Sequence, residues 1–172
     1  MVEIIETLVV ESDGLLTRRK LSEIQIRNHF SMVENMAGYS DTTLIKKLGI
    51  KEEFRIALVG APKGFLKEPG TLPNKVRISP SLMKSLDLIL LFVHSKSDLE
   101  KRFSALAANL SANGMFWVAW PKKSSGVVTD LSFDIVQRVG LAAGLVDVKI
   151  CAVNEIWSGL KFVYRLKDRP RN

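Results

Sequence analysis

The sequence predicts an α/β fold in which a mostly parallel sheet is flanked by helices and closes with an antiparallel C-terminal hairpin. Three observations lead to it. Continuous apolar runs, typical of strands covered on both faces, occur at residues 54–60, 86–93 and 115–120. A helical pattern separates the last two runs. Two segments of alternating apolar and polar residues then meet at a short turn near the C-terminus.

The composition indicates one globular domain. The chain has 172 residues, of which 47% are hydrophobic and 25% charged, enough for a single core. The apolar runs are shorter than the ~20 residues that a membrane helix needs, and the N-terminus lacks the basic and apolar regions of a secretion signal. We therefore expect a cytoplasmic protein with no membrane partner.

Residues 1–38 are predicted to form an N-terminal extension outside the main domain. An alternating segment covers residues 3–10, a turn follows at 12–14, and then a helical pattern places apolar residues on one face. That pattern runs through Leu21, Ile24, Phe30 and Val33. Its apolar face must pack on the main domain or on a second copy of the chain, so a homodimer is one expectation.

The main domain is predicted to span residues 39–166, followed by a basic tail at 167–172. Ser40 or Asp41 caps a short helix that ends at Gly49, and strands follow at 54–60 and 75–79. A helix capped near Ser97 then connects the strands at 86–93 and 115–120. Its apolar residues recur at spacings of three and four: Leu99, Phe103, Leu106, Ala107 and Leu110.

The remaining elements complete a Rossmann-like order. A helix capped near Asp130 or Ser132 ends at Gly144, and half-exposed strands at 146–152 and 160–166 flank a turn. This is the arrangement of class I methyltransferases. However, only 26 positions separate Gly60 from Leu86, so at least one helix and one strand of that arrangement are reduced or missing.

Net charge and cysteine content limit the kinds of partner and site that we expect. The net charge of +7 favours an anionic partner, such as a nucleotide, a nucleic acid or an acidic protein, without selecting one. Part of this charge belongs to the C-terminal tail. Because Cys151 is the only cysteine and His29 and His94 the only histidines, we expect no disulfide and no metal site.

Ligands of open α/β sheets bind at the carboxyl ends of the strands. The first loop there is Gly60-Ala61-Pro62-Lys63-Gly64. Pro62 removes an amide donor, and the next strand ends in Ser79 instead of the carboxylate that binds ribose hydroxyls. We therefore expect no cofactor, S-adenosylmethionine included, and interpret Gly60 and Gly64 as residues that allow a sharp exit from the strand.

The loop after the strand at 115–120 is a candidate anion site. Lys122, Lys123 and Ser124 could form a concavity for a phosphate, with Trp120 as a stacking surface facing Trp157. The alternative is a solvated basic loop.

The turn of the hairpin offers further polar groups. Glu155, Trp157 and Lys161 lie within one short segment, and Glu155 would be a general base only if burial raised its pKa. Alternatively, Trp157 caps the edge of the core and Glu155 pairs with Lys161. His94, at a strand end, is expected to be a hydrogen-bonded structural histidine. We identify no catalytic residue.

Several segments resemble a known family. They are Tyr39-Ser40, Lys46-Lys47-Leu48-Gly49-Ile50-Lys51, Leu91-Phe92-Val93, Val118-Ala119-Trp120-Pro121-Lys122-Lys123, Gly144-Leu145-Val146-Asp147-Val148-Lys149 and Trp157-Ser158-Gly159-Leu160-Lys161. Together they resemble a bacterial family of uncharacterised proteins, domain of unknown function 3052, over residues 38–166. The resemblance implies a small bacterial cytoplasmic protein and no established activity.

These observations favour a non-catalytic or degenerate methyltransferase-like domain that binds a small anionic ligand or a nucleotide at the strand ends. One alternative is an S-adenosylmethionine-dependent methyltransferase, which the order of elements supports. A second alternative is a nucleic-acid-binding protein, which the net charge supports.

Overall fold

The computed structural model describes residues 5–10, 16–21, 43–65, 72–79 and 83–169. Two strands near the N-terminus, β1 (Ile5–Val10) and β2 (Leu16–Leu21), pair as an antiparallel hairpin. The alternating segment at 3–10 is therefore a strand, whereas Leu21 ends a second strand that we had not predicted. The rest of the expected helix, through Ile24 to Val33, lies outside the described residues.

A six-stranded sheet forms the centre of the domain, in the order β4-β3-β5-β6-β8-β7. Its strands are β3 (Arg55–Val59), β4 (Arg77–Ser79), β5 (Leu86–Phe92), β6 (Leu110–Pro121), β7 (Leu145–Ala152) and β8 (Trp157–Tyr164). β4, β3, β5 and β6 are parallel, while β8 is antiparallel to both β6 and β7. The predicted fold class is confirmed.

In the described part of the chain, three α-helices accompany the sheet: α1 (Leu44–Leu48), α2 (Lys96–Ala107) and α3 (Phe133–Ala142). Thr43, not Ser40 or Asp41, is the residue before α1, and α1 ends at Gly49 with a left-handed φ of 77°, as predicted. Ser95 caps α2 two residues earlier than expected, because its hydroxyl accepts a hydrogen bond from the Asp98 amide. Ser132 caps α3 in the same way.

The hydrophobic core has two halves, one on each face of the sheet. The half under α2 and α3 contains Phe103, Phe116 and Phe162, whose rings pack edge to face. The half under α1 contains the fully buried Trp117, whose indole nitrogen donates to the Leu48 carbonyl at 3.1 Å. This hydrogen bond fixes the C-terminal end of α1 against β6, the strand that pairs with β8 of the C-terminal hairpin.

The path between β3 and β5 is reduced, as the sequence predicts. Among the residues described between these two strands there is only β4, with three residues, and no helix. Ser79, at the end of β4, lies beside Ala57, so β4 stops two residues short of the end of β3. None of the helices in the described part of the chain combines the length and apolar character that a membrane crossing requires.

Candidate functional site

The carboxyl ends of the parallel strands form the candidate site, which we call the carboxyl edge: residues 60–65, 92–96, 120–126 and 153–157. The order in which strands are added to the sheet reverses between β3 and β5. β4 lies on one side of β3, whereas β5 and β6 lie on the other side. Such a switch point leaves a crevice where ligands of open α/β sheets bind.

Gly60 brings β3 and β5 close together at this crevice. It has a left-handed φ of 68°, and a Cβ on it would lie 2.8 Å from the Phe92 carbonyl oxygen. Only glycine allows this path, because any side chain would overlap the end of β5. Gly64 also has a positive φ, of 83°, but a Cβ there would meet open space. The two glycines therefore do different things: Gly60 permits close approach, and Gly64 permits the turn.

Arg102 borders the same crevice from α2. One of its guanidinium nitrogens lies 3.9 Å from the position of a Gly60 Cβ, and it donates to Asp98 at 3.1 Å. The arginine is thus a cation beside the first loop, held by a carboxylate one helical turn earlier. Sequence reasoning missed Arg102, because the spacing of Asp98 and Arg102 indicates only a surface pair and not which strand end lies beneath it.

An aromatic row crosses the carboxyl edge: Phe65, Phe92, Trp157 and His94. Successive ring centroids lie 4.8, 5.0 and 5.0 Å apart, each pair edge to face. The first three rings are buried and His94 is exposed. Burial of Trp157 agrees with the alternative in which it caps the core. His94 is packed against Trp157, and its carbonyl accepts a 2.6 Å hydrogen bond from the Thr129 hydroxyl.

The loop that begins α2 is held by two residues that are distant in the sequence. Thr129 binds the His94 carbonyl, and the Asp130 carboxylate accepts from the Lys96 amide at 2.7 Å. The sequence offers no signal for this arrangement, since more than thirty residues separate the partners. Its consequence is a fixed position for His94 at the edge.

The loop after β6 is internally bonded. The Lys122 carbonyl accepts from both the amide and the hydroxyl of Ser125, and the Lys122 amide donates to Ile156 at 2.8 Å. Lys123 and Ser124 are exposed. The loop and the β7–β8 turn are therefore neighbours, as expected from the candidate anion site, and its binding role stays a prediction.

The side chains of two predicted site residues do not point to the crevice. Trp120 is buried in the core under α2 and α3, on the face opposite to Trp157, because adjacent positions of a strand point to opposite faces. It therefore does not face Trp157 as expected. Lys161 lies in the middle of β8, opposite Trp117, about 13 Å along the strand from Trp157 at about 3.3 Å per residue. Among the described ion pairs, none joins Glu155 to Lys161.

Solved structures share this architecture. A precorrin-6y C5,15-methyltransferase from Geobacter metallireducens is 11% identical over 90% of this chain and 96% of that chain, with a TM-score of 0.52. A SAM-dependent methyltransferase from Aquifex aeolicus is 13% identical over 77% and 96%, with a TM-score of 0.51. Fibrillarin from Methanococcus jannaschii, a pre-rRNA processing protein, is 11% identical over 92% and 82%, with a TM-score of 0.50.

The chain has the class I methyltransferase-like fold. At these identities the likeness is one of fold. No protein-family model matches the chain, and no curated protein does, so the resemblance to domain of unknown function 3052 is not confirmed.

The methyltransferase-like fold corrects one expectation. We expected no cofactor, because of Pro62 and Ser79. That expectation is wrong: the fold is shared with a SAM-dependent methyltransferase, and S-adenosylmethionine is the cofactor to which the similar structures point. Two departures in one loop and one strand end were too narrow a basis for excluding it.

At the carboxyl edge, the loop after β3 fits this cofactor. Open space surrounds Gly64 in the loop, and Arg102 supplies a positive charge beside Gly60. The fit is poorer at the end of β4, where a carboxylate would bind the ribose hydroxyls. Ser79 has only a hydroxyl there, and β4 ends two residues before the end of β3. Among the described residues, no cluster of histidine, cysteine or acidic side chains could hold a metal ion.

Proposed function

We propose that the chain binds S-adenosylmethionine in the crevice between the ends of β3 and β5 and acts as a methyltransferase. The observation that carries the proposal is the approach of Gly60 to the Phe92 carbonyl at the switch point of the sheet. Glycine lets the ends of β3 and β5 pack closely together at the place where ligands of this fold class bind.

Three groups of this chain would hold the cofactor. The loop from Gly60 to Gly64 follows the end of β3 and has open space at Gly64. The Arg102 guanidinium lies beside that loop and suits the cofactor's carboxylate, since arginine pairs with carboxylates through two parallel hydrogen bonds. The buried rings of Phe65 and Phe92 form an apolar wall beneath. When bound, S-adenosylmethionine supplies a methyl group on a sulfonium centre.

Pro62 and Ser79 depart from the usual pattern of a cofactor site, and they predict a lower affinity for the cofactor. Pro62 offers no amide hydrogen, so the loop has one donor fewer. A hydroxyl at Ser79 would replace charge-assisted hydrogen bonds to ribose, which are about twice as strong as neutral ones. We therefore expect affinity for the cofactor to depend mainly on the Gly60 loop and Arg102.

Polar groups that would meet the molecule that accepts the methyl group lie along the carboxyl edge. His94 is exposed, its carbonyl is held by Thr129, and its ring packs edge to face with Trp157. An imidazole in that position can accept a proton from an incoming nucleophile. This makes His94 the residue of this chain best placed to act on a methyl acceptor.

This proposal takes precedence over the non-catalytic, anion-binding reading of the sequence, because the similar structures favour the methyltransferase alternative. Membership of family 3052 and a cytoplasmic location remain part of the proposal.

The test is isothermal titration of the full chain with S-adenosylmethionine and S-adenosylhomocysteine. Gly64→Ala and Gly144→Ala form a matched pair, since both glycines have φ near +84° with open space around them, and only Gly64 belongs to the loop. We expect Gly64→Ala to weaken binding and Gly144→Ala to leave it unchanged. A wild-type protein that binds neither compound would contradict the proposal.

Arg102 is tested with a second pair. Arg102→Met should weaken binding at least about tenfold, the effect of losing one charge-assisted contact. Arg138→Met, on α3, removes the same charge far from the loop and should have no effect. Equal losses in both variants would mean that Arg102 acts only through the overall charge of the protein.

A further inference from the structure

Five lysines lie near one another around the β7–β8 strand pair and the end of α1, and three of them lie near Cys151. We call them the lysine face: Lys47, Lys51, Lys122, Lys149 and Lys161. They come from the last turn of α1 and the segment after it, from the loop after β6, and from the middle of β7 and β8. Four separate parts of the chain therefore bring positive charge to one place.

Contacts within the lysine face are close. Lys149 lies directly opposite Lys161 in the β7–β8 register, and Trp117 lies opposite Lys161 on its other side. The Lys149 ammonium donates to the Lys47 carbonyl at 3.0 Å. At Cys151, the nearby charges of Lys149, Lys47 and Lys122 favour the thiolate. The edge loop and the middle of the sheet thus belong to one surface.

This arrangement is unfavourable in isolation. Like charges directly opposite each other on antiparallel strands destabilise a sheet. Lys161 is partly buried, and its pKa is lowered by burial first and then by Lys149 and Lys51. In the part of the chain that the structure describes, no carboxylate lies within ion-pair distance of any of the five lysines. The lysine face therefore favours an anionic partner.

We propose that the lysine face binds the phosphate backbone of a nucleic acid. Five cations spread over four segments exceed what one phosphate or carboxylate can pair with, and they suit a chain of regularly spaced charges. All five are lysines, which act as point charges, whereas arginine reads base edges through paired hydrogen bonds. Binding is therefore independent of sequence. The net charge of +7 agrees with a polyanionic partner.

Lys122 links this surface to the carboxyl edge, since its amide is bonded to the β7–β8 turn beside Trp157. A nucleic acid on the lysine face would reach the edge where the cofactor is proposed. The binding itself does not depend on the proposed function. Only the further step, that the nucleic acid is the methyl acceptor, rests on it.

The test is fluorescence anisotropy of a labelled single-stranded RNA and a labelled DNA duplex with the full chain, at several salt concentrations and without S-adenosylmethionine. The double variant Lys149→Gln, Lys161→Gln should weaken binding at least about tenfold and reduce the slope of log affinity against log salt by about 2. The control is Lys84→Gln, Lys101→Gln, which removes two exposed lysines elsewhere. It should lower affinity about twofold at most.

Several results would overturn the proposal. One is a wild-type chain that binds neither probe at low salt, and another is a control variant that weakens binding as much as the test variant does. Displacement of the RNA by polyglutamate at equal charge concentration would exclude nucleic acid as the preferred partner. Nucleic-acid binding without any binding of S-adenosylmethionine would refute the proposed function alone.

Thermal unfolding of Lys161→Met separates binding from a structural role. Because burial disfavours the ammonium, methionine of similar length should raise the unfolding temperature while weakening RNA binding. A lower unfolding temperature with unchanged RNA binding would show that the lysine serves the fold, and would overturn the proposal.

Discussion

The Phe92 carbonyl oxygen lies 2.8 Å from the point that a Cβ on Gly60 would occupy. Real Cβ atoms do not approach an oxygen so closely, so this position in the chain accepts glycine alone. The contact joins the ends of the two strands between which the proposed cofactor site opens. Stability and ligand binding therefore both depend on Gly60.

Replacing Gly60 with alanine should destabilise the fold by about 2–5 kcal/mol, because a left-handed conformation costs ~1–2 kcal/mol and overpacking against Phe92 adds ~1–3 kcal/mol. Gly64→Ala has the same backbone strain without the overlap. Urea unfolding of both variants measures the difference. Equal losses would mean that the end of β5 moves aside freely.

Gly140→Ala should also destabilise the fold, by about 1–3 kcal/mol, although alanine is the better helix former by about 1 kcal/mol. A Cβ on Gly140 would lie 2.1 Å from the Phe162 ring, so α3 could no longer rest on β8. Urea unfolding decides between the two effects. A gain in stability would show that helix propensity outweighs this packing.

The Cys151 thiol should be unreactive in the folded protein at pH 8. Burial raises its pKa to about 11, against nearby lysine charges that lower it. Ellman's reagent should therefore modify it only after urea is added. Rapid reaction in the native state would contradict the buried position.

The same thiol makes stability depend on alkaline pH. Since its pKa rises from 9.0 in the unfolded chain to about 11 in the fold, its contribution is fully present below pH 9 and is lost as the pH approaches 11. The loss is at most about 3 kcal/mol at 1.36 kcal/mol per pKa unit. Lys161 and Tyr164 also ionise at alkaline pH and affect stability there. The quantity to measure is therefore the difference in unfolding free energy between wild type and Cys151→Ala as a function of pH. A difference that does not change with pH would refute this assignment.

Trp117→Phe should free the end of α1. The substitution removes the donor to the Leu48 carbonyl and leaves a buried acceptor unpaired, which costs about 1–3 kcal/mol. Hydrogen exchange at the Gly49 and Ile50 amides, which bond to Ile45, should accelerate. Trp120→Phe removes the same volume from the other face and should not affect those amides.

Much of the fold follows from sequence patterns, whereas much of the site does not. Apolar runs located β5 and the middle of β6 because both are buried on two faces, and that burial leaves a continuous signal. The start of α2 was placed at Ser97 instead of Ser95 because several serines could cap it, and only the geometry selects one. The fold class was predicted correctly.

Site residues were harder to predict because chain proximity is a poor guide to position in a sheet. Trp120 and Trp157 are both near strand ends, yet the alternation of side chains puts them on opposite faces. Lys161 follows Trp157 by four residues, and that is enough to move it from the edge to the middle of the sheet. Arg102 reaches the edge from α2, which no local pattern indicates.

A crystal structure of the full chain with S-adenosylhomocysteine tests the central claim most directly. The account predicts ligand density between the ends of β3 and β5, against the main chain of Gly60 and within hydrogen-bond distance of Arg102. Crystals grown at saturating ligand that show this crevice free of it, or the ligand bound at another place, would contradict the account.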